Sequence, residues 1–210
     1  MRYESDTIHE LFYYPGHASL APHIALIEVE AVYTLNYIDI KCGAQFAPAY
    51  LEINPLNTIP AMRTGDGIIT ESAAICTWLA LEHDKLLGKD AVQLQWMFYL
   101  SNTVQPTLMD YHYPELRLGA PCEVRERAKM QLQEQLTYIS HILGKRITLG
   151  LEFGISDIYL FMLTYWTREF LCELVDVTQL RRAHAEARQR ASVVRALELE
   201  NLSGYMPAEI

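Results

Sequence analysis

Residues 53–72 read INPLNTIPAMRTGDGIITES, and this stretch decides how the first part of the chain folds. Two short β-prone segments, IPAMR and GIIT, flank the turn signal GDG, and this arrangement predicts an antiparallel hairpin. Beyond the stretch the hydrophobic period changes from two to that of a helix, through Ile75, Trp78 and Leu79. The sequence therefore predicts a β-hairpin that leads directly into a helix.

The residues before this hairpin predict a β-α-β unit. The apolar run IHELFYY (8–14) is followed by the loop PGHA and by SLAPHIALIEVE, a helix opened by Ser19. The β-branched and aromatic segment VYTLNYIDI (32–40) then predicts a strand parallel to the first. With a short helix before the hairpin, the order of elements is that of an α/β thioredoxin-like domain over residues 1–82.

The remainder of the chain predicts helices only. The charged segment HDKLLGKD (83–90) is interpreted as a linker, and residues 91–210 as an all-α domain. Pro106 is expected to kink the first long helix, because it lacks an N–H and clashes with the preceding turn. A second helix has apolar residues at spacings of three and four and ends at Gly144, whereas DIYLFMLTYW (157–166) is apolar on nearly all sides and suits a central helix.

Composition excludes several classes of function. The formal net charge is −9, from 26 acidic and 17 basic residues, so the chain is not expected to bind nucleic acid or anionic lipid. The four cysteines form no C-x-x-C pair, and the sequence predicts neither a metal site nor a disulfide framework. Residues 1–7 lack the features of a signal peptide, and no apolar run reaches bilayer length, which predicts a soluble cytoplasmic protein without membrane contact.

Five motifs, in this order and spacing, carry a resemblance to a known family: SLAPHIAL, NPLNTIPAM, GDGIITESAAI, GISDIYL and RQRASVVRAL. The chain resembles the cytosolic glutathione transferases, and among them the bacterial beta-like members. The resemblance implies a homodimeric detoxifying transferase, in which glutathione lies on the thioredoxin-like domain as the co-substrate. A small apolar electrophile would enter from the helical side and be attacked by the glutathione thiolate.

The resemblance also implies where glutathione binds. Pro60, in the segment Thr58-Ile59-Pro60, is expected to follow a cis peptide bond, and the backbone of Ile59 to pair with the cysteinyl unit of the ligand. Glu71 and Ser72 are expected to hold the γ-glutamyl ammonium and carboxylate at a helix N-terminus. Two structural alternatives stay open: Pro60 begins an edge strand, and Glu71 and Ser72 only cap a helix.

Several residues are candidates for stabilising the thiolate. Beta-like relatives have a cysteine immediately before SLAPH, whereas this chain has Ala18, so a nucleophilic thiol is absent at that position. Ser19, Tyr13 and Tyr14 are the candidate hydroxyl donors, and two of them have an alternative role, as a helix cap for Ser19 and as packing for Tyr13. His17 is a further candidate donor or a solvated loop residue.

Further positions concern the electrophile and the fold. Asn57 replaces a glycine of the family pattern and is expected to take a positive φ, and Lys41 is a candidate for the glycyl carboxylate. Gln105 and Pro106 stand where some relatives have a histidine and a lysine that face the thiol. The residues assigned either to an apolar cleft for the electrophile or to ordinary packing are Met109, Tyr111, His112 and Tyr113.

GISD (154–157) resembles the internal folding motif of the family. Gly154 takes the place of the Ser or Thr that caps the central helix, while Asp157 is kept, and its role is structural. The departures from the family pattern at Ala18, Gln105 and Pro106 leave a second interpretation of the chain, a non-catalytic relative that serves as a protein-binding module.

Overall fold

A computed structural model describes residues 8–88, 91–168 and 171–202. The predictions made for residues 1–7, for the end of the linker at 89–90 and for the C-terminal residues 203–210 lie outside this range. The chain divides into two compact units. Unit 1 comprises the described residues up to Leu87 and those from Arg190 onward, and unit 2 comprises the described residues from Gly88 to Gln189.

Unit 1 is built on a four-stranded mixed sheet of order β2-β1-β3-β4. β1 pairs with β2 in parallel, and β3 pairs antiparallel with both β1 and β4. The elements of this unit are β1 (His9–Tyr13), α1 (Leu20–Glu28), β2 (Tyr33–Tyr37), α2 (Pro48–Leu51), β3 (Ala61–Thr64), β4 (Gly67–Thr70), α3 (Ser72–Glu82) and, from the end of the chain, α9 (Ala191–Leu199). This order confirms the predicted thioredoxin-like β-α-β-α-β-β-α arrangement.

The hydrophobic pattern of unit 1 explains its layers. α1 packs against both α3 and α9, and apolar side chains from these helices and from the sheet form a core. Fully buried members of this core are Leu11, Leu20, Ile24, Leu26, Met62, Ile75 and Leu79. The sequence placed the whole of 91–210 in the helical domain, whereas α9 packs on α1. This contact joins the end of the chain to the first helix, and no local sequence signal indicates it.

Among the described residues of unit 2, all regular secondary structure is helical. Its helices are α4 (Val92–Tyr99), α5 (Gln105–His112), α6 (Pro121–Leu143), α7 (Ile155–Trp166) and α8 (Thr178–Arg188), with short 3₁₀ turns at Pro114–Leu116 and Leu171–Glu173. α6 ends where predicted, because Gly144 takes a φ of 55°. α7 is central, as its apolar sequence predicts: every residue from Ile155 to Tyr165 is buried.

The region before Pro106 differs from a simple kinked α-helix. Residues Leu100–Val104 form a π-helical stretch that joins α4 to α5, and Pro106 lies in the first turn of α5. Proline cannot donate to the carbonyl four residues earlier, and the wider π turn is one way for a helix to accommodate that lost bond. Within the part of the chain that is described, no helix has the length and apolar character needed to cross a membrane.

Candidate functional site

Several of the candidate site residues named from the sequence lie together at one edge of the sheet in unit 1, where its strands end or begin. The register pairs Phe12 with Ala61, and Ala61 with Thr70. The residues next along each strand therefore lie together at this edge: Tyr13 at the end of β1, Pro60 before β3, and Glu71 after β4. The carboxyl ends of parallel strands are the usual place for a ligand in open α/β sheets.

The turn before β3 presents free backbone. The Ile59–Pro60 peptide is cis, as the resemblance implies. The side chain of Ile59 packs against a core cluster that includes Tyr50, so its backbone is left at the sheet edge. Among the described residues, the N–H and C=O of Ile59 have no hydrogen-bond partner. An extended peptide can therefore pair with this residue in antiparallel fashion.

The loop that carries this turn is braced by side chains. The carbonyl of Thr58 accepts hydrogen bonds from the hydroxyl of Tyr50 and from Nδ2 of Asn54, both at 2.7 Å. Asn54 also accepts from the N–H of Leu56 at 3.1 Å. Asn57 has a φ of 50°, which confirms the positive φ predicted for it. The loop is thus held from within unit 1, and the exposed Thr58 is part of its support.

Glu71 has an unusual backbone. It links β4 to α3 with φ at 69° and ψ at 118°, a conformation that a non-glycine residue adopts only at a cost of about 1–3 kcal/mol. Its exposed carboxylate forms no ion pair with any residue described. Such strain is concentrated at functional sites, where it aims a side chain or the backbone at a ligand.

Ser72 is the first residue of α3, and it is 5% exposed. The side chain of Glu71, at the N-cap position, makes no hydrogen bond that caps this helix, which contradicts the capping interpretation for Glu71. The N–H groups of the first turn therefore remain available, and the positive end of the helix dipole favours an anion there. A carboxylate placed beside Ser72 would be bound by these N–H groups and by the serine hydroxyl.

Ser19 is held in a different way from either of its predicted roles. It is fully buried, and its hydroxyl donates to the carbonyl of Tyr14 at 3.0 Å while accepting from the N–H of Tyr14 at 3.3 Å. No side-chain bond caps α1, so the interpretation of Ser19 as a helix cap is wrong. Since its single proton is directed at Tyr14, the hydroxyl fixes the loop before α1.

Tyr13 keeps its hydroxyl uncommitted. Among the residues described, the phenol has no hydrogen-bond partner, and the ring lies 6.1 Å from that of Tyr37 and 6.4 Å from that of His23, between centroids. Burial, followed by the negative charge of Glu200, raises the pKa of Tyr13. The phenol is therefore protonated at neutral pH and can donate a hydrogen bond.

His17 and Lys41 both lie near the ring of Tyr14. Nδ1 of His17 lies 2.9 Å from the carbonyl of Pro15, and this carbonyl requires that Nδ1 carry the proton. In the neutral ring Nε2 is then an acceptor, so His17 is a poor candidate for a donor to a thiolate. Nζ of Lys41 lies 6.0 Å from the centre of the Tyr14 ring, and the neighbouring Tyr14 raises the pKa of this lysine.

Comparison with known proteins agrees with this geometry. Residues 17–82 match the model of the glutathione S-transferase N-terminal domain. The disulfide-bond oxidoreductase YfcG of Escherichia coli K12 is 30% identical over 190 residues, which cover 82% of this chain and 86% of that protein. The chain belongs to the glutathione S-transferase family.

Two further relatives support the assignment. Glutathione S-transferase GstA of Escherichia coli O157:H7 is 28% identical over 203 residues, covering 92% of this chain and 99% of that protein. A glutathione transferase homologue from Sulfitobacter, solved with bound glutathione, shares 25% identity at a TM-score of 0.76, covering 91% of this chain and 98% of the other. The fold of the glutathione S-transferases thus extends over nearly the whole chain.

In unit 2 of this glutathione S-transferase, the side chain of Gln105 is fixed by a hydrogen bond from another helix. The hydroxyl of Tyr159, on α7, donates to Oε1 of Gln105 at the start of α5. The cleft candidates follow on α5 and just after it: Met109, Tyr111, His112 and Tyr113. Met109, Tyr111 and His112 are half-buried, and Tyr113 is 41% exposed. No group of three or more metal-binding side chains occurs within the described ranges.

Sequence reasoning missed a buried network in this glutathione S-transferase. Nδ1 of His23, on α1, lies 2.8 Å from Oε1 of Glu200, and Nε2 lies 3.1 Å from the hydroxyl of Tyr33. The other carboxylate oxygen of Glu200 accepts from the N–H of Gly16 at 2.7 Å. The network therefore ties the loop before α1 to the residue after α9. A histidine within the apolar SLAPHIAL segment was the only local signal of it.

Proposed function

We propose that the chain is a glutathione transferase acting in the cytoplasm: it binds glutathione at the edge of the sheet in unit 1 and promotes attack of the thiolate on a small apolar electrophile. The observation that carries the proposal is the strained backbone of Glu71, placed by strand register beside the unpaired backbone of Ile59. A structural helix start has no need of either feature. The glutathione bound in the Sulfitobacter homologue supports the choice of ligand.

In this proposal each part of glutathione has a matching group. The cysteinyl backbone pairs with Ile59, next to Pro60 and Thr58, while the γ-glutamyl carboxylate binds at Ser72 and the ammonium at Glu71. This placement directs the sulfur toward the end of β1 and the start of α1. As the donor to the thiolate, the phenol of Tyr13 is favoured over the hydroxyl of Ser19, which is already bonded to Tyr14.

In this proposal the protein supplies two effects, stabilisation of the thiolate and orientation of the two reactants. Tyr13 and the positive end of the α1 dipole would favour the thiolate over the thiol, since the phenol places a donor, and the dipole a partial positive charge, near the sulfur. The thiolate then forms a bond to an electrophilic carbon, and the leaving group departs with its electron pair. Orientation of the two reactants supplies much of the remaining acceleration. We propose that Met109, Tyr111, His112 and Tyr113 contact the electrophile.

Replacement Glu71→Gln tests the ligand assignment. The change keeps the shape of the side chain but removes the charge that pairs with the γ-glutamyl ammonium, a loss of about 1.5–3 kcal/mol. The dissociation constant for glutathione, measured by calorimetry, is expected to rise by roughly 10- to 150-fold. Glu30→Gln is the matched control, because Glu30 is also an exposed glutamate with a positive φ in unit 1. Equal affinity in the two variants would refute the site.

Replacement Ala18→Cys tests the chemistry. Ala18 is half-buried just before α1, where a helix N-terminus lowers the pKa of a thiol. The introduced thiolate would attack the glutathione sulfur of the mixed disulfide with 2-mercaptoethanol, and 2-mercaptoethanol would leave. A second glutathione would then release glutathione disulfide. The rate of this exchange is expected to rise by about tenfold or more over the natural protein, with Ala18→Ser unchanged.

A second candidate function is thiol–disulfide exchange in which glutathione supplies the reacting thiols. The similarity to YfcG, named a disulfide-bond oxidoreductase, favours it. The same assay separates the two, because the natural protein would then already reduce the mixed disulfide, and Ala18→Cys would add little. Binding of glutathione without either activity would instead support the protein-binding module.

We also propose a homodimer, since two-fold pairing is the commonest assembly of soluble proteins and is implied by the resemblance to the family. Sedimentation velocity at micromolar concentration is expected to give twice the chain mass of 24.1 kDa. A monomer at that concentration would contradict this assembly while leaving the glutathione site untouched.

A further inference from the structure

Two histidines meet at the end of unit 1 that lies away from the proposed site. His9 is the first residue of β1, and His83 directly follows the last residue of α3. Their ring centroids are 6.4 Å apart with the planes at 78°, and the His9 ring also meets the edge of Trp78 at 5.4 Å. His9 is 6% exposed, so this contact is part of the packing between the sheet and α3.

Both rings leave a buried nitrogen without a partner. Nδ1 of His9 and Nε2 of His83 are shielded from solvent and make no hydrogen bond to the described residues. A neutral imidazole tolerates one bare nitrogen, because that nitrogen carries no proton. A protonated ring needs an acceptor for each N–H, and a buried charge without one is costly.

The surrounding charges do little to offset that cost. Glu82, at the end of α3, faces both rings, whereas Lys85 faces His83 and opposes its protonation. Glu10, the next residue of β1, is already paired with Arg63 of β3 at 2.8 Å. Lys85 is also bonded to the carbonyl of Val29 at 3.3 Å and lies 3.7 Å from Glu30. The exposed Glu82 is thus the one acid among these groups that favours the charged rings.

We propose that His9 and His83 form an acid-sensitive contact, which releases the last turn of α3 from the start of β1 when the two rings take up protons. The opposite end of α3 begins at Ser72. Because the helix is a single rigid element of 11 residues, its loosening is expected to lower the affinity at its N-terminus as well. This second consequence rests on the proposed function, whereas the local release does not.

The direction of the pH dependence follows from the lowered pKa values of the two rings. Burial lowers the pKa of His9, and the neighbouring His83 lowers it further; burial is also the main cause that lowers the pKa of His83. The open state, with ordinary histidines, therefore binds protons before the closed state does. The contact contributes its full stability above the ordinary pKa of about 6.5 and loses it as the pH falls below that value.

Hydrogen exchange provides the local test. Exchange of the amides in 79–83 is followed at pH 7.5 and at pH 5.5 in the full chain and in His83→Gln, and comparison at equal pH cancels the intrinsic pH dependence of exchange. Protection is expected to fall by about tenfold in the natural protein and by less than about threefold in His83→Gln. The control His141→Gln removes an exposed histidine of α6 and is expected to keep the full fall.

The pH window avoids the protonation of the buried histidine in unit 2. His184, in unit 2, stacks on Phe161 with centroids 4.8 Å apart, and burial lowers its pKa to about 4. Its own protonation in the folded state therefore lies below pH 5.5, and the amides that are read belong to unit 1. The variant His9→Phe keeps an aromatic edge against Trp78 while removing the other proton, and it is expected to reduce the fall as well.

Two outcomes decide the matter. An equal fall in protection in the natural protein, His9→Phe and His83→Gln would overturn the proposal. A smaller fall in either variant, with His141→Gln unchanged, supports it. Calorimetry on the same samples reads the second consequence: if glutathione fails to bind at either pH while the variants still suppress the local opening, the proposed function falls and the contact stands.

Discussion

Replacement Gln93→Ala is expected to lower the free energy of unfolding by about 2–4 kcal/mol, because it leaves two buried donors without an acceptor. Gln93 lies on α4 and is 4% exposed. Its Oε1 accepts from the N–H of Ser156 at 3.0 Å and from the hydroxyl of Ser156 at 2.6 Å. Ser156 is in the first turn of α7, so Gln93 caps the central helix of unit 2 from a neighbouring helix.

This contact explains why glycine stands at position 154. A Cβ added to Gly154 would lie 2.3 Å from Cδ of Gln93, so the side chain of Gln93 occupies the space of a local capping residue. Asp157 still accepts from the N–H of Gly154 at 2.9 Å, and from that of Leu149 at 2.7 Å. Half of the predicted capping box is therefore local, and the other half is supplied by α4.

A double-mutant cycle of Gln93→Ala and Gly154→Ser measures the coupling between these two positions. Gly154→Ser alone is expected to destabilise the protein by about 1–3 kcal/mol, because its side chain overlaps Gln93. In the double variant the clash disappears and the serine hydroxyl can cap α7, so at least half of the loss should be recovered. Urea unfolding followed by circular dichroism gives the four free energies.

The control for this cycle is Gln95→Ala, on the exposed side of the same helix, which is expected to change stability by less than about 0.5 kcal/mol. Additive effects of Gln93→Ala and Gly154→Ser would show that the two positions do not share one cap.

The features that sequence predicted well are those set by neighbours within a few residues. The hairpin follows from its GDG turn and the end of α6 from Gly144. Each depends on local backbone preferences that a short stretch contains in full.

The features that sequence missed depend on distant partners. Gln93 and Ser156 are 63 residues apart, and His23 and Glu200 are 177 residues apart. Ser19 shows the same limit on a small scale, because its position before a helix suggested a cap, while tertiary folding of the loop turned its hydroxyl to Tyr14. Which acceptor a buried donor finds is settled by packing, and packing is not visible in local patterns.

The largest loss of stability is expected from Glu200→Ala, at about 3–5 kcal/mol, because the change removes one partner of a buried, hydrogen-bonded pair. The side chains of Glu200 and His23 are both fully shielded from solvent. Removing the carboxylate breaks its bonds to Nδ1 of His23 and to the N–H of Gly16. Because Gly16 belongs to the loop between β1 and α1, the loss should also reach the proposed thiolate site. Calorimetry with glutathione checks that part, and urea unfolding gives the loss of stability.

Two comparisons test whether the loss of stability comes from the Glu200 carboxylate itself. Glu198→Ala removes an exposed acid from the last turn of α9, where it lies 3.5 Å from Arg195, and it is expected to cost less than about 0.5 kcal/mol. His23→Ala combined with Glu200→Ala should cost clearly less than the sum of the two single changes, because each single change already breaks their shared bond. If the two losses add, or if Glu200→Ala unfolds at the same urea concentration as Glu198→Ala, the network does not hold the loop. The order of the loop before α1 would then have to come from its internal bonds, among them those between Ser19 and Tyr14 and between His17 and Pro15.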